Sequence, residues 1–192
     1  DIAVVTGYKR EMLADRGFVE FHNPRWAETN MVSSLFYAEE WLSAGPCVVS
    51  YSDIFYSRAT VLSLVDCSAD LVVAYDPDWR KLWEKRFGNP LLDAETFRLG
   101  PEGVLLEIGN VPNSMDEIEG QYMGLLRFTP FGWRAIQQVM AGLSEFERDR
   151  MQMTNALQRV IKDNISAVMA VPNREPWGEV DNELDLVIYT NA

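Results

Sequence analysis

The chain has 192 residues, 47% hydrophobic and 24% charged, a balance that fits one domain with a sizeable core and excludes disordered and collagen-like classes. Its formal net charge of −12 argues against a nucleic-acid partner, because phosphate backbones demand basic surfaces, but a triphosphate can still be neutralised locally by a metal and a few cations. No apolar run approaches the ~20 residues of a membrane span and no basic-then-apolar leader marks export, so a cytoplasmic protein with no membrane partner is expected.

Ile2-Ala3-Val4-Val5-Thr6 is an apolar, β-branched run and reads as a buried parallel strand. Residues 9–15 read as a short helix and 18–21 as a second strand. Asn30 caps a helix to about Leu42, and residues 46–51 form a third strand ending at Ser52-Asp53. Ser57 caps a helix through Val65, and residues 70–75 form a fourth strand. Strand and helix alternate this far, which predicts an α/β fold: an open, mostly parallel sheet with crossover helices.

The pattern changes after residue 76. Residues 76–92 are aromatic and charged, and residues 96–99 and 104–108 suggest a hairpin around Pro101-Glu102-Gly103. Residues 122–128 read as a strand, and Thr129-Pro130 starts a helix with proline in its first turn. Ser144 and Glu147 form a capping box for a second long helix reaching Lys162. A late strand covers 167–171, and Asp181 opens a terminal helix as its N-cap. The two cysteines, Cys47 and Cys67, lie in hydrophobic segments and read as buried free thiols. With His22 as the single histidine, neither a His-built zinc site nor a Ser-His-Asp triad is expected. No repeat, low-complexity tract or linker divides the single domain, residues 1–192.

Four features carry chemistry. Asp53 follows a core strand at its carboxyl end, where ligands bind in open α/β sheets. A carboxylate there suits a hard cation such as magnesium, and equally a turn or helix cap. Asp181 lies in Gly178-Glu179-Val180-Asp181-Asn182-Glu183; capping is its plainer role, and one residue can do both. Trp79, Trp83 and Phe87 are spaced by four and share a helical face, either as core packing or as a wall for an acceptor, a quaternary amine included. In Glu119-Gly120-Gln121-Tyr122-Met123-Gly124, the glycines allow close approach of a ligand or mark a bulge.

Together these residues resemble the nucleotidyltransferase superfamily. Val4-Val5-Thr6-Gly7-Tyr8-Lys9 is similar to its second-strand motif, His22-Asn23-Pro24 with Asn30 and Ser34-Leu35 to its base- and ribose-side segment, Ser52-Asp53 to its metal-binding aspartate, and Gly178-Glu179-Val180-Asp181 to its late Glu-Ile-Asp motif. The stretches at 75–79, 93–97 and 120–125 resemble the phosphocholine and phosphonate cytidylyltransferase branch, in particular the domain fused to phosphoenolpyruvate mutase-like domains in phosphonate (fosfomycin-type) biosynthesis. The resemblance implies a Rossmann-like nucleotidyltransferase fold with a small hairpin insertion for the acceptor. It implies transfer of CMP from CTP to a small phosphonate such as 2-hydroxyethylphosphonate, or else to phosphocholine or a sugar phosphate. Mg2+ would sit on Asp53 and Asp181, the nucleotide on Gly7, Tyr8, Asn30, Ser34 and Ser52, and the acceptor on Trp79, Glu119, Gln121 and Tyr122. The family's first strand and Gly-rich loop, with its Arg and Lys, have no match here, since residue 1 aligns with the start of the second core strand. A non-catalytic nucleotide- or partner-binding relic is the alternative from another class.

Overall fold

The computed structural model describes residues 1–190. The chain opens with β1 (Ala3–Thr6) and β2 (Val19–His22), paired in parallel with Thr6 opposite His22 and joined through the 3-10 turn Arg10–Leu13. Next come α1 (Met31–Leu35), a 3-10 turn over Phe36–Ala38 and α2 (Glu39–Ala44). Asn30 caps this region as its sequence suggests, its side chain accepting from the Met31 N–H at 2.8 Å. The single helix expected to Leu42 is nevertheless interrupted, and the tightened turn holds the Phe36 ring 4.8 Å from Trp133.

β3 (Cys47–Ser50), β4 (Ile54–Tyr56), α3 (Arg58–Asp66) and β5 (Leu71–Asp76) follow. Ser57 caps α3 by accepting from the Thr60 N–H. The insertion contains α4 (Arg80–Phe87) and the hairpin of β6 (Phe97–Leu99) with β7 (Leu105–Ile108). β8 (Gln121–Phe128) then leads into α5 (Pro130–Ala141), capped by Thr129, whose Oγ1 accepts from the Phe131 and Gly132 N–H groups.

The Ser144–Glu147 capping box is present, but the long helix it was expected to start is two helices, α6 (Glu145–Asp149) and α7 (Met153–Lys162). The reason is competition for carbonyls. Ser33 Oγ donates to the Arg148 carbonyl at 2.8 Å and Asn30 N–H to the Asp149 carbonyl at 2.6 Å. A continuing helix would need both for its own next turn. β9 (Met169–Pro172), β10 (Trp177–Glu179) and α8 (Glu183–Thr190) complete the described chain.

The central sheet has the order β3-β8-β5-β9. β8 runs antiparallel to both β3 and β5, and β9 runs parallel to β5. Three of the four strands thus share a direction, and β8, returning from the insertion, is the reversed one. All six residues of β5 are buried, as a strand covered on both faces requires. Its alternation is clean: Leu71, Val73 and Tyr75 pack with Phe128, Trp133, Ile136, Leu157 and Val160, while Val72 and Ala74 pack with Leu64, Met123 and Leu125. Each aliphatic side chain fully removed from water there contributes about 1.5–3 kcal/mol before cavity terms. The two cysteines are free, as read, but half-buried.

Candidate active site

Two short strands build the site. Gly178 faces Phe55 and Glu179 faces Ile54 in the antiparallel β4–β10 pair, and the Val180 N–H extends the ladder by donating to the Asp53 carbonyl at 2.9 Å. Gly178 is required here by contact, because a Cβ would lie 2.5 Å from both the Phe55 and Tyr189 rings. This pairing brings Asp53 and Asp181, distant in sequence, to one place. One carboxylate oxygen from each of Asp53, Glu179 and Asp181 lies within 4.8 Å of the others.

Asp181 does not cap α8. That role falls to Asn182, whose Oδ1 accepts from the Leu184 N–H at 2.9 Å, and to Asp185, whose Oδ2 accepts from the Asp181 N–H at 3.0 Å. A short polar side chain and a carboxylate satisfy the unpaired N–H groups of a helix start. The Asp181 carboxylate is therefore released for other work.

Arg86, on α4, meets this cluster. Its Nη1 donates to Glu179 Oε2 at 2.6 Å, its Nη2 to Asp181 Oδ2 at 2.6 Å and its Nε to Asp185 Oδ1 at 3.3 Å. The guanidinium lies 4.9 Å from the Phe87 ring centre and 5.7 Å from that of Trp83. Its side chain is 1% exposed, so the carboxylates and rings replace its lost hydration. Burial pushes the Glu179 carboxyl up; bonding to Arg86 opposes this, and the nearby Asp181 and Asp53 charges add to the rise. For Asp185, burial pulls upward, but Arg86 and the helix-start N–H groups hold it below the usual carboxylate range. Asp53 is exposed, and its carboxylate has no hydrogen bond or ion pair among the described residues. Ser52, beside it, is also exposed.

At the nucleotide end suggested by sequence, Gly7 follows β1, and a Cβ there would lie 2.5 Å from Trp26 Cβ. Tyr8 is exposed and its ring tilts against Trp26 at 5.2 Å. Ser34 Oγ accepts from Asn23 Nδ2 at 2.9 Å, and Asn23, 1% exposed, also bonds Thr29 and Arg25. Asn23 thus gathers the His22-Asn23-Pro24 segment and the first turn of α1.

The acceptor-side expectations fare differently. Trp79 is buried, packed edge-to-face on Trp83 with centres 6.0 Å apart, in a cluster with Ala94 and Ile118. Its surface is already spent on core packing, which corrects its reading as a pocket wall. Gln121 is buried too; its amide exchanges bonds with the Glu95 backbone and fixes that loop. Glu119 is exposed but accepts from the Leu99 N–H at 2.6 Å, tying the hairpin to β8. Gly120 makes room for Tyr75, whose Cδ2 would lie 2.3 Å from an added Cβ. The Tyr122 hydroxyl is buried beside the Tyr51 side chain with no well-formed hydrogen bond, and the two rings sit edge-on at 5.9 Å. An unpartnered buried hydroxyl costs free energy until something bonds it.

Sequence reasoning did not assign Glu179 or Arg86. Glu179 was legible in principle, since residues two apart on an extended segment share a side and Glu179 is two before Asp181. Arg86 offered no comparable signal, because an arginine on an aromatic helix ordinarily faces water.

This fold and carboxylate-lined strand pair define an α/β nucleotidyltransferase. Two solved structures share the fold: the inositol-1-phosphate CTP transferase from T. maritima (TM-score 0.74, 14% identity, 98% of this chain and 74% of that one) and the CTP:phosphocholine cytidylyltransferase LicC from Streptococcus pneumoniae (TM-score 0.67, 16% identity, 100% and 77%). No protein-family model matches the chain. Among characterised sequences, the CTP:phosphoglutamine cytidylyltransferase of Campylobacter jejuni is 34% identical over 209 aligned positions, spanning 98% of this chain and 80% of the relative. The chain belongs to the cytidylyltransferase family. No helix among the described residues is long and apolar enough to cross a membrane.

Proposed function

We propose that this protein transfers CMP from CTP to a small acceptor bearing a phosphoryl or phosphonyl group. An acceptor oxygen attacks the α-phosphorus of CTP. The bond from that phosphorus to the β-phosphate bridging oxygen breaks, and pyrophosphate leaves with the electron pair. The observation carrying this reading is the convergence of Asp53 and Asp181, with Glu179, at the β4–β10 pair in a chain so similar to a cytidylyltransferase.

The three carboxylates fit a hard divalent cation, because their oxygens are close, anionic and partly exposed. Asp53 and Asp181 would hold Mg2+, which as a Lewis acid would offset charge developing on the triphosphate. The protein's own share is positioning: the β4–β10 pairing sets Asp53 and Asp181 side by side, and with the cation they would fix where the α-phosphate lies. Gly7, Tyr8, Asn30, Ser34 and Ser52 would seat the nucleotide, with the exposed Tyr8 and Trp26 rings offering faces to a base. The Tyr122 hydroxyl would bond the acceptor.

The relative's name makes a phosphorylated amino-acid amide the first acceptor to test. A small phosphonate such as 2-hydroxyethylphosphonate presents the same attacking oxygen, as the motifs at 75–79 and 120–125 suggest, and it is the second. The test gives the protein CTP and Mg2+ with phosphoglutamine, 2-hydroxyethylphosphonate or phosphocholine in turn, and measures pyrophosphate release. Release that depends on one of the first two acceptors is expected. Preference for phosphocholine overturns the acceptor assignment, and CTP binding without turnover on any acceptor favours the non-catalytic alternative.

A further inference from the structure

We propose that Arg86 is a positioning residue for the cation site. Its guanidinium fork gathers Glu179 and Asp181 beside Asp53, so that the carboxylate cluster stands assembled before the cation arrives. The inference rests on the metal reading given under Proposed function and extends it to a residue on a different element.

The geometry separates a positioning residue from a mere occupant of the cation's place. A cation standing where the metal belongs would pair with Asp53, yet Arg86 bonds Glu179, Asp181 and Asp185 and leaves Asp53 alone. It also takes a single oxygen from each cluster member, Oε2 of Glu179 and Oδ2 of Asp181. Glu179 Oε1, Asp181 Oδ1 and both Asp53 oxygens keep no protein partner among the described residues. Three carboxylates within 4.8 Å repel one another, and a buried arginine lowers that cost by pairing with two of them.

The fork is itself held from behind. Trp83 and Phe87 lie against it, and Trp83 Nε1 donates to Asp93 Oδ2 at 3.1 Å. The aromatic insertion thereby fixes the guanidinium plane, and the plane fixes the carboxylates. This gives the spacing of Trp83, Arg86 and Phe87 a purpose that core packing alone does not. Lysine cannot substitute, because a point charge on a flexible stem lacks two parallel donors.

The test is Mn2+ binding to the full chain, followed by electron paramagnetic resonance titration in wild type, R86K, R86M, D53N and D185N, with circular-dichroism melting to confirm folding. Partners that orient ligands are worth about 10–100-fold in metal affinity, and R86K and R86M are each expected to weaken Mn2+ binding within that range. In turnover assays the Mg2+ concentration for half-maximal rate should rise more than kcat falls. Folded R86K or R86M with unchanged or tighter Mn2+ binding overturns the inference. If both variants unfold, D185N decides: it keeps the fork but removes its third anchor, so weaker binding supports positioning and unchanged binding overturns it. Binding in wild type that D53N does not diminish overturns the metal reading together with this one. Binding that depends on Asp53 but not on Arg86 overturns this inference alone.

Discussion

Residues in the candidate site divide by whether their polar atoms are already committed. Asp53 has a free carboxylate and Asp181 keeps one free oxygen beside Arg86, while the Tyr122 hydroxyl is buried against Tyr51. Replacing Asp53 or Asp181 by Asn preserves shape but removes the charge a hard cation needs; each is expected to cut turnover by at least about 100-fold, measured as pyrophosphate release. Asp185 is committed, and its prediction concerns stability. Its folded-state pKa is depressed, so its contribution is present above the ordinary aspartate range and is lost as pH falls through the depressed value. Asp185→Asn should therefore cost about 1–3 kcal/mol at neutral pH. The gap from wild type should close as denaturant unfolding is repeated below about pH 4.

At the scale of elements, a pair of three-residue strands decides where the acidic residues meet. Gly178→Ala would press a methyl into Phe55 and Tyr189 and spread β4 from β10. Turnover should fall by about 10-fold or more, because small misplacements of a reacting group are costly. Gly45→Ala is the matched control, since Gly45 has extended backbone and nothing within 4 Å of an added Cβ, and it should leave the rate unchanged. The helix start beside the central sheet gives a separate stability test. Thr129 Oγ1 serves two α5 N–H groups and donates to Asp70 Oδ1 at 2.6 Å. Thr129→Ala should lower unfolding free energy by about 1–2 kcal/mol in chemical denaturation, with no change in the substrate concentration giving half-maximal rate.

For the whole molecule, charge sets the conditions for binding. A protein of net charge −12 repels a free triphosphate unless cations intervene. CTP with Mg2+ should raise the melting temperature, by an amount equivalent to about 2.7 kcal/mol at a hundredfold excess over Kd. CTP with a chelator should raise it far less. A differential scanning fluorimetry series with CTP, UTP and ATP measures nucleotide preference in the same experiment.

Much of this was legible in the sequence, because local chemistry fixed it. Asn30, Ser57, Thr129 and Ser144 cap helices where short polar side chains precede helical runs. The β-branched run of β5 reads as a buried strand, and Asp53 lies where a strand end places it. Long-range competition was not legible. Ser33 and Asn30 take the carbonyls that would have joined α6 to α7, and Trp79 turns inward onto Trp83. The order of motifs by itself marked Asp53 and Asp181 as partners. Glu179 could have been added from its spacing two before Asp181, but only the tertiary structure could add Arg86, because a buried arginine is stable where several distant carboxylates and rings converge, and that convergence is set by packing rather than by neighbours in the chain.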